Sequence, residues 1–145
     1  MADAIRRLLP DVDVVETSLV PDDRGEIERE LRRLADGNLA DLVLTTGGTG
    51  LAPRDVTPQA TLAVGDFDVP GLGEAMRAAT RAAFPTASLS RQTAVIRGRT
   101  LIVNLPGSPR GAVECLDAIA SVLPHAVATL RGEAGDAHPA RVERA

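Results

Sequence analysis

The feature that most constrains the fold is a short apolar run, Leu42 to Leu44, that leads directly into the sequence TTGGTG at residues 45–50. A brief, continuously apolar segment is typical of a parallel strand that is covered on both faces. The three glycines after it carry no Cβ atom, so backbone N–H groups there can approach an anion closely. The motif alone predicts either a phosphate-binding loop or a tight turn between a strand and a helix.

Apolar residues recur along the rest of the chain with periods that alternate between strand and helix. The 145 residues form one domain of ordinary size. The alternating order predicts an α/β fold with an open, mostly parallel sheet and helices on both faces. Helices are predicted over 2–9, 24–36, 57–64, 73–84, 108–122 and 124–130, and strands over 12–19, 41–46, 93–96 and 100–104. The last two strands flank Arg97-Gly98-Arg99, which is typical of a hairpin.

Composition excludes several kinds of chemistry. All 16 basic residues are arginine, which removes a Walker-A lysine, a Schiff base and a lysine general base. The two histidines, His125 and His138, stand beside prolines and offer little to a triad or a metal centre. The single cysteine, Cys115, excludes an internal disulfide and is expected to be buried in a helix.

Charge and hydropathy limit the partners. A net charge of −4 and only two aromatic residues argue against nucleic-acid binding, which favours basic faces and stacking platforms. No window is apolar for long enough to cross a bilayer, and the N-terminus does not resemble a secretory signal. We therefore expect no membrane partner and a cytoplasmic location.

Acidic residues follow the predicted strands. Asp55 lies eight residues after Gly47, and a carboxylate beside a phosphate repels it unless a divalent cation stands between them. Asp55 is therefore predicted either to bind Mg²⁺ or simply to precede the helix that Thr57 and Pro58 open. Asp22 and Asp23 follow the first strand, so one is expected to cap the next helix and the other to face the cleft.

A second polar loop, NLPGSP at residues 104–109, leads into a helix whose N-terminus could hold an anion. Glu114, one turn into that helix, is expected to face either the site or, by preference, solvent. Because ligands of open α/β sheets bind beyond the carboxyl ends of the strands, this loop and TTGGTG are expected to form one site.

The motifs together closely resemble one known family. The stretches LVLTTGGTGLAPRDVTPQAT, VPGLGEAMR and PTASLSRQTAVIRGRTLIVNLPGSPRGAVECL occur in unbroken order within residues 12–130. They resemble the molybdopterin adenylyltransferase and MoaB-like family of molybdenum cofactor biosynthesis. The resemblance implies a three-layer α/β/α fold that acts on molybdopterin with Mg²⁺-ATP and releases pyrophosphate. It also implies a homotrimer and the molybdenum insertase as a further partner. The alternative to adenylylation is that the chain is a non-catalytic MoaB-like protein that binds the pterin or assists assembly.

The resemblance also implies roles for particular residues. Asp22 and Asp55 match the family's functional acidic positions, with Asp55 as the Mg²⁺ ligand. The residues expected to bind substrate are Thr46, Gly47, Gly48, Thr49, Gly50, Ser90, Arg91, Asn104, Pro106, Gly107 and Ser108.

The chain departs from the family pattern at its N-terminus. Members normally begin with a strand ending in Ser-Asp, whereas this chain opens inside the helix that should follow, so we expect its true start to lie upstream. We expect residues 1–131 to form an N-terminally incomplete molybdopterin-binding domain and residues 132–145 to form a flexible tail.

Overall fold

The structure, a computed structural model, describes residues 1–133, so the predicted tail lies almost entirely outside the described residues. The helices within this range are α1 (Ala2–Leu8), α2 (Arg24–Asp36), α3 (Thr57–Val64), α4 (Pro70–Thr80), α5 (Pro109–Ala120) and α6 (Leu123–Arg131), and a 3-10 turn spans Pro85–Leu89. The strands are β1 (Leu42–Thr46), β2 (Phe67–Asp68), β3 (Ala94–Arg97) and β4 (Thr100–Leu105).

These strands form a four-stranded sheet in the order β1-β4-β3-β2. The pair β1 and β4 is parallel, whereas β3 pairs antiparallel with both β4 and β2. The α/β class is confirmed, but the sheet is mixed where the sequence predicted a mostly parallel one. The cause is the predicted hairpin: Gly98 adopts a φ of 56° and joins β3 directly to β4, and so short a connection permits only antiparallel pairing.

Two apolar cores lie on opposite faces of the sheet, because successive side chains of a strand point to opposite sides. Leu101 and Val103 of β4 pack among residues of α1, α4, α5 and α6, while Ile102 packs among residues of α2 and α3. Fully burying one such side chain contributes about 1.5–3 kcal/mol. The helices therefore cover both faces, and the three-layer arrangement is confirmed.

The predicted helices form, with small shifts at their ends. Asp23 caps α2 by accepting a hydrogen bond from the Glu26 N–H at 3.0 Å, as expected for one of the two aspartates. Helix α4 begins at Pro70 rather than Gly73, because proline is well tolerated in a first helical turn. No single described helix is long and apolar enough to span a membrane; α5 and α6 meet the length and composition criteria only as a pair bent by 61°.

The predicted strand at residues 12–19 does not form a strand in the described structure. No described strand lies beside it, and an ion pair between Glu16 and Arg33 holds it against α2 instead. A channel of about 880 Å³ separates this segment from β1, and apolar side chains of α1, α2 and α6 line it. Propensity alone predicted the strand, but a strand also requires a partner edge.

Candidate functional site

The candidate site lies where the parallel strands β1 and β4 both end, so the loops that follow them are neighbours. The Gly47 N–H donates to the Leu105 carbonyl at 3.1 Å. A Cβ atom added to Gly107 would lie 3.2 Å from the Gly47 Cα, closer than most real Cβ contacts. The two glycine loops therefore meet backbone to backbone, as the sequence predicted for a single site.

The TTGGTG loop requires glycine where it turns. Gly47 and Gly48 have φ values of 97° and 64°, in the left-handed region that favours glycine. A Cβ on Gly48 would lie 2.2 Å from the Thr57 Oγ1, and the Thr57 N–H donates to the Gly48 carbonyl at 3.2 Å. Thr57 is thus the first residue of α3, preceded by Val56 at the cap position, and it supports the loop rather than capping the helix.

Several backbone donors of this loop are unpaired. The N–H groups of Gly48, Thr49, Gly50 and Leu51 donate to no acceptor among residues 1–133. Successive unpaired N–H groups in a turn form a concavity that favours anions. The loop therefore presents unpaired donors, and anion binding at this loop stays a prediction.

Asp55 lies against this loop. Its Oδ2 accepts from the Ala52 N–H at 2.9 Å, while its own N–H donates to the Ala52 carbonyl at 2.9 Å, which closes a tight turn. A Cβ on Gly50 would lie 2.8 Å from the same Oδ2, so only glycine permits the carboxylate to pack there. The other carboxylate oxygen, Oδ1, has no hydrogen-bond partner in the described part of the chain and is available to a cation.

Ser90 and Arg91 approach the loop from the segment before β3. The Arg91 Nε donates to the Gly50 carbonyl at 2.8 Å, its Nη2 donates to the Asp55 carbonyl, and its backbone N–H donates to the Thr49 carbonyl at 2.9 Å. The Ser90 hydroxyl lies 3.4 Å from that of Thr49. Both residues therefore contact the predicted loop directly: Arg91 binds its backbone, and Ser90 lies beside the side chain of Thr49.

Asn104, in contrast, is fully buried. Its Nδ2 donates to the hydroxyls of Thr45 in β1 and Thr61 in α3, each at 2.9 Å, and its Oδ1 has no partner among the described residues. The side chain therefore joins the strand to the helix behind the loop. Sequence analysis missed Thr61, because a threonine inside a predicted helix carries no signal of such a role.

The remaining predicted residues lie at the rim. Asp22 is exposed and lines the end of the channel that Thr45, Thr46 and Thr57 also line. Pro106 is half-buried, Gly107 and Ser108 are exposed, and the Ser108 hydroxyl accepts from the Gly111 N–H at 3.2 Å to cap α5. The structure thus brings Asp55, Ser90, Arg91 and Gly107 into contact with the TTGGTG loop, whereas Pro106 and Ser108 follow at the neighbouring strand end and Asp22 shares only the channel.

Two residues of α5 take the roles that the sequence favoured. Glu114 pairs with Arg110 at 2.7 Å on the helix surface. Cys115 is buried, and its sulfur accepts from the Gln92 Nε2 at 3.3 Å. Burial raises the pKa of the Cys115 thiol, which disfavours the reactive thiolate.

Comparison with known proteins identifies the family. The family described as "Probable molybdopterin binding domain" matches residues 2–125. The chain is 53% identical over 105 residues to the molybdopterin adenylyltransferases of Haemophilus influenzae and of Escherichia coli K12. These matches cover 72% of this chain and 53% and 54% of the two relatives, so the chain spans about half of their length.

Solved structures give the same result. The molybdopterin biosynthesis enzyme MoaB of Thermus thermophilus is 51% identical, with a TM-score of 0.82, over 90% of this chain and 84% of that one. The tungsten cofactor synthesizing protein MoaB of Pyrococcus furiosus is 32% identical, with a TM-score of 0.76, over 89% and 83% of the two chains. On sequence and fold together, this chain belongs to the molybdopterin-binding domain family of molybdenum cofactor biosynthesis.

Proposed function

We propose that this chain adenylylates molybdopterin with Mg²⁺-ATP. A phosphate oxygen of molybdopterin attacks the α-phosphorus of ATP, a new P–O bond forms, and the bond to the β-phosphate breaks, which yields adenylated molybdopterin and pyrophosphate. The observation that carries the proposal is the row of free N–H groups at residues 48–51 beside Asp55, in a chain with relatives named molybdopterin adenylyltransferase.

The available side chains suit this reaction. The nucleophile belongs to the substrate, so the protein needs to position two anions and offset their charge rather than supply a nucleophile. The buried Cys115 and the absence of lysine are no obstacle to such chemistry. Backbone N–H groups and arginine supply the positive potential.

Mg²⁺ fits the donor set at Asp55. This ion is usually bound through one or two carboxylates together with waters and substrate phosphates. Asp55 offers one free carboxylate oxygen, and Asp22 stands at the rim as a second acidic group. When bound, the ion offsets the charge of the phosphates. Thr46 and the loop Gly47 to Gly50 would hold the pterin phosphate, and Pro106, Gly107 and Ser108 would form the opposite wall.

Pyrophosphate release from Mg²⁺-ATP in the presence of molybdopterin tests the proposal. We expect release to require both substrates and to fall about a hundredfold in Asp55→Asn, because that change removes the anionic ligand while retaining the size of the side chain. Asp117→Asn, at an exposed position of α5, is the matched control and should behave as the wild type. Wild-type release by Asp55→Asn would refute the metal role of Asp55.

The second candidate function is pterin binding without turnover. The same assay separates the two functions, since retention of molybdopterin without any pyrophosphate would support binding alone.

The proposal extends to assembly and domain organisation. The proposed assembly is a homotrimer, in which the exposed side chains of Leu62 on α3 and Phe67 on the edge strand β2 would lie between subunits; light scattering can test it. We further place the protein in the cytoplasm, where ATP is available, with the molybdenum insertase as the consumer of its product.

Finally, the channel beside β1 supports a domain at residues 1–131 whose sheet is completed by one further strand.

A further inference from the structure

We propose that Arg91 is a positioning residue: by binding carbonyl oxygens on one side of the TTGGTG loop, it turns the loop's N–H groups toward the anion on the other side. The identity of the anion rests on the proposed function, but the positioning role does not. Arg91 would thus act on a phosphate through the backbone rather than by touching it.

Three consecutive peptide units of the loop have their carbonyl groups held by hydrogen bonds. The Gly48 carbonyl accepts from the Thr57 N–H at 3.2 Å, and the Thr49 carbonyl accepts from the Arg91 N–H at 2.9 Å. The Gly50 carbonyl accepts from the Arg91 Nε at 2.8 Å. Arg91 therefore fixes two of the three units, one through its backbone and one through its side chain.

The planarity of the peptide bond converts these contacts into an orientation of donors. In a trans peptide, the N–H of one residue points opposite to the carbonyl of the residue before it. The chain has no cis peptide among its described residues. Fixing the carbonyls of residues 48–50 inward therefore directs the N–H groups of Thr49, Gly50 and Leu51 outward, and all three lack a protein acceptor within residues 1–133.

The guanidinium group suits this role better than an ammonium group would. Its Nη2 also donates to the Asp55 carbonyl, so one planar fork spans the turn from Gly50 to Asp55 and fixes the residue proposed to hold Mg²⁺. Arg91 forms no ion pair with a carboxylate in the described part of the chain. Its positive charge therefore adds to the potential that the N–H groups create.

Titration of the ¹⁵N-labelled protein with pyrophosphate, followed by amide NMR, tests this inference without relying on activity. In the wild type, pyrophosphate should shift the amide signals of Thr49, Gly50 and Leu51. Arg91→Lys keeps the charge and the backbone bond to the Thr49 carbonyl but cannot bridge the Gly50 and Asp55 carbonyls. The shift of Leu51, whose N–H is set by the Gly50 carbonyl, should therefore be lost, and Kd should rise about tenfold, the effect of one charge-assisted hydrogen bond.

The matched control is Arg97→Lys. Arg97 is also half-buried and donates to a backbone carbonyl, that of Val64, at 2.8 Å, but it lies at the opposite end of β4. This variant should retain the wild-type shifts and affinity. If Arg91→Ala is folded, millimolar guanidinium should restore part of its pyrophosphate affinity.

Each possible result either supports or overturns the inference. Loss of the Leu51 amide shift in Arg91→Lys, with Arg97→Lys unchanged, supports it even if molybdopterin is never adenylylated. An Arg91→Lys protein that binds pyrophosphate as tightly as the wild type, with the same amides shifted, overturns it. A wild type in which pyrophosphate leaves these amides unmoved also overturns it, whatever the outcome of the activity assay.

Discussion

At the scale of single residues, Gly48 carries two separate constraints, its backbone conformation and its contact with Thr57. We expect Gly48→Ala to lose about 1–2 kcal/mol from the positive φ alone, and more because its Cβ would lie 2.2 Å from the Thr57 Oγ1. Gly98 also has a positive φ, of 56°, but nothing lies near its Cβ position, so Gly98→Ala should show only the conformational cost. Urea unfolding measures how much stability each variant loses. Equal losses in Gly48→Ala and Gly98→Ala would contradict a destabilising contact between the added Cβ and Thr57.

Asn104 illustrates what the sequence could and could not predict at this scale. Its place at the end of the strand predicted over 100–104 indicated proximity to TTGGTG, and its side chain bonds to Thr45, the first residue of that motif. Its burial and its bonds to Thr45 and Thr61 depend on how α3 packs on the sheet, which local pattern does not encode.

Removing the Asn104 side chain should therefore be costly for folding. Asn104→Ala leaves two threonine hydroxyls without their donor and creates a cavity, so we expect a loss of about 2–4 kcal/mol in the free energy of unfolding. A double-mutant cycle with Thr61→Val should show a coupling of at least about 0.5 kcal/mol. Additive losses would indicate that the bond to Thr61 contributes little.

At the scale of elements, helix α2 holds the unpaired segment 12–20 through charged contacts. Arg33, together with a hydrogen bond from Ser18, lowers the pKa of Glu30 to about 2 from its usual 4.5. A carboxyl group with a depressed pKa in the folded state stabilises the protein fully above pH 4.5 and loses that contribution as the pH falls toward 2.

The expected consequence is a weaker dependence of stability on acid in Glu30→Gln. Between pH 5 and about pH 3, urea midpoints of the wild type should fall by more than those of this variant, because the variant has no carboxylate to protonate. Asp117→Asn, on the exposed face of α5, should leave the acid dependence of the wild type unchanged. Identical acid profiles for wild type and Glu30→Gln would contradict the contribution of this pair.

Elements with strong local signals were predicted well, and those set by tertiary context were not. The period of α2 and the Ser108-Pro109 start of α5 predicted both helices to within a residue or two. Residues 12–19 have high strand propensity, but a strand needs a neighbouring edge, and none lies beside them in the described structure. Antiparallel pairing of β2 with β3 also escaped prediction, since β2 has only two residues.

At the scale of the whole molecule, the channel beside β1 is large enough to hold one further strand. Strand spacings of about 4.8 Å within a sheet, 10 Å between layers and 3.3 Å per residue give roughly 160 Å³ for each residue. The channel of about 880 Å³ would therefore hold five or six residues, close to the length of β1.

Filling this channel should stabilise the protein. A strand of five or six β-branched residues, fused ahead of Met1 through a flexible linker, should pair with the free edge of β1 and raise Tm by several degrees. The same fusion with a central proline cannot complete the ladder and should leave Tm unchanged. An equal rise for both fusions would contradict a strand-shaped channel.

The most direct test of the central claim follows labelled phosphorus from ATP. The chain, Mg²⁺ and molybdopterin are incubated with ATP labelled at either the α- or the γ-phosphorus. We predict that the α-label appears on molybdopterin and that the γ-label appears in pyrophosphate, in equal amounts. Release of the γ-label as inorganic phosphate, with no α-label on the pterin, would show ATP hydrolysis instead and would contradict adenylyl transfer.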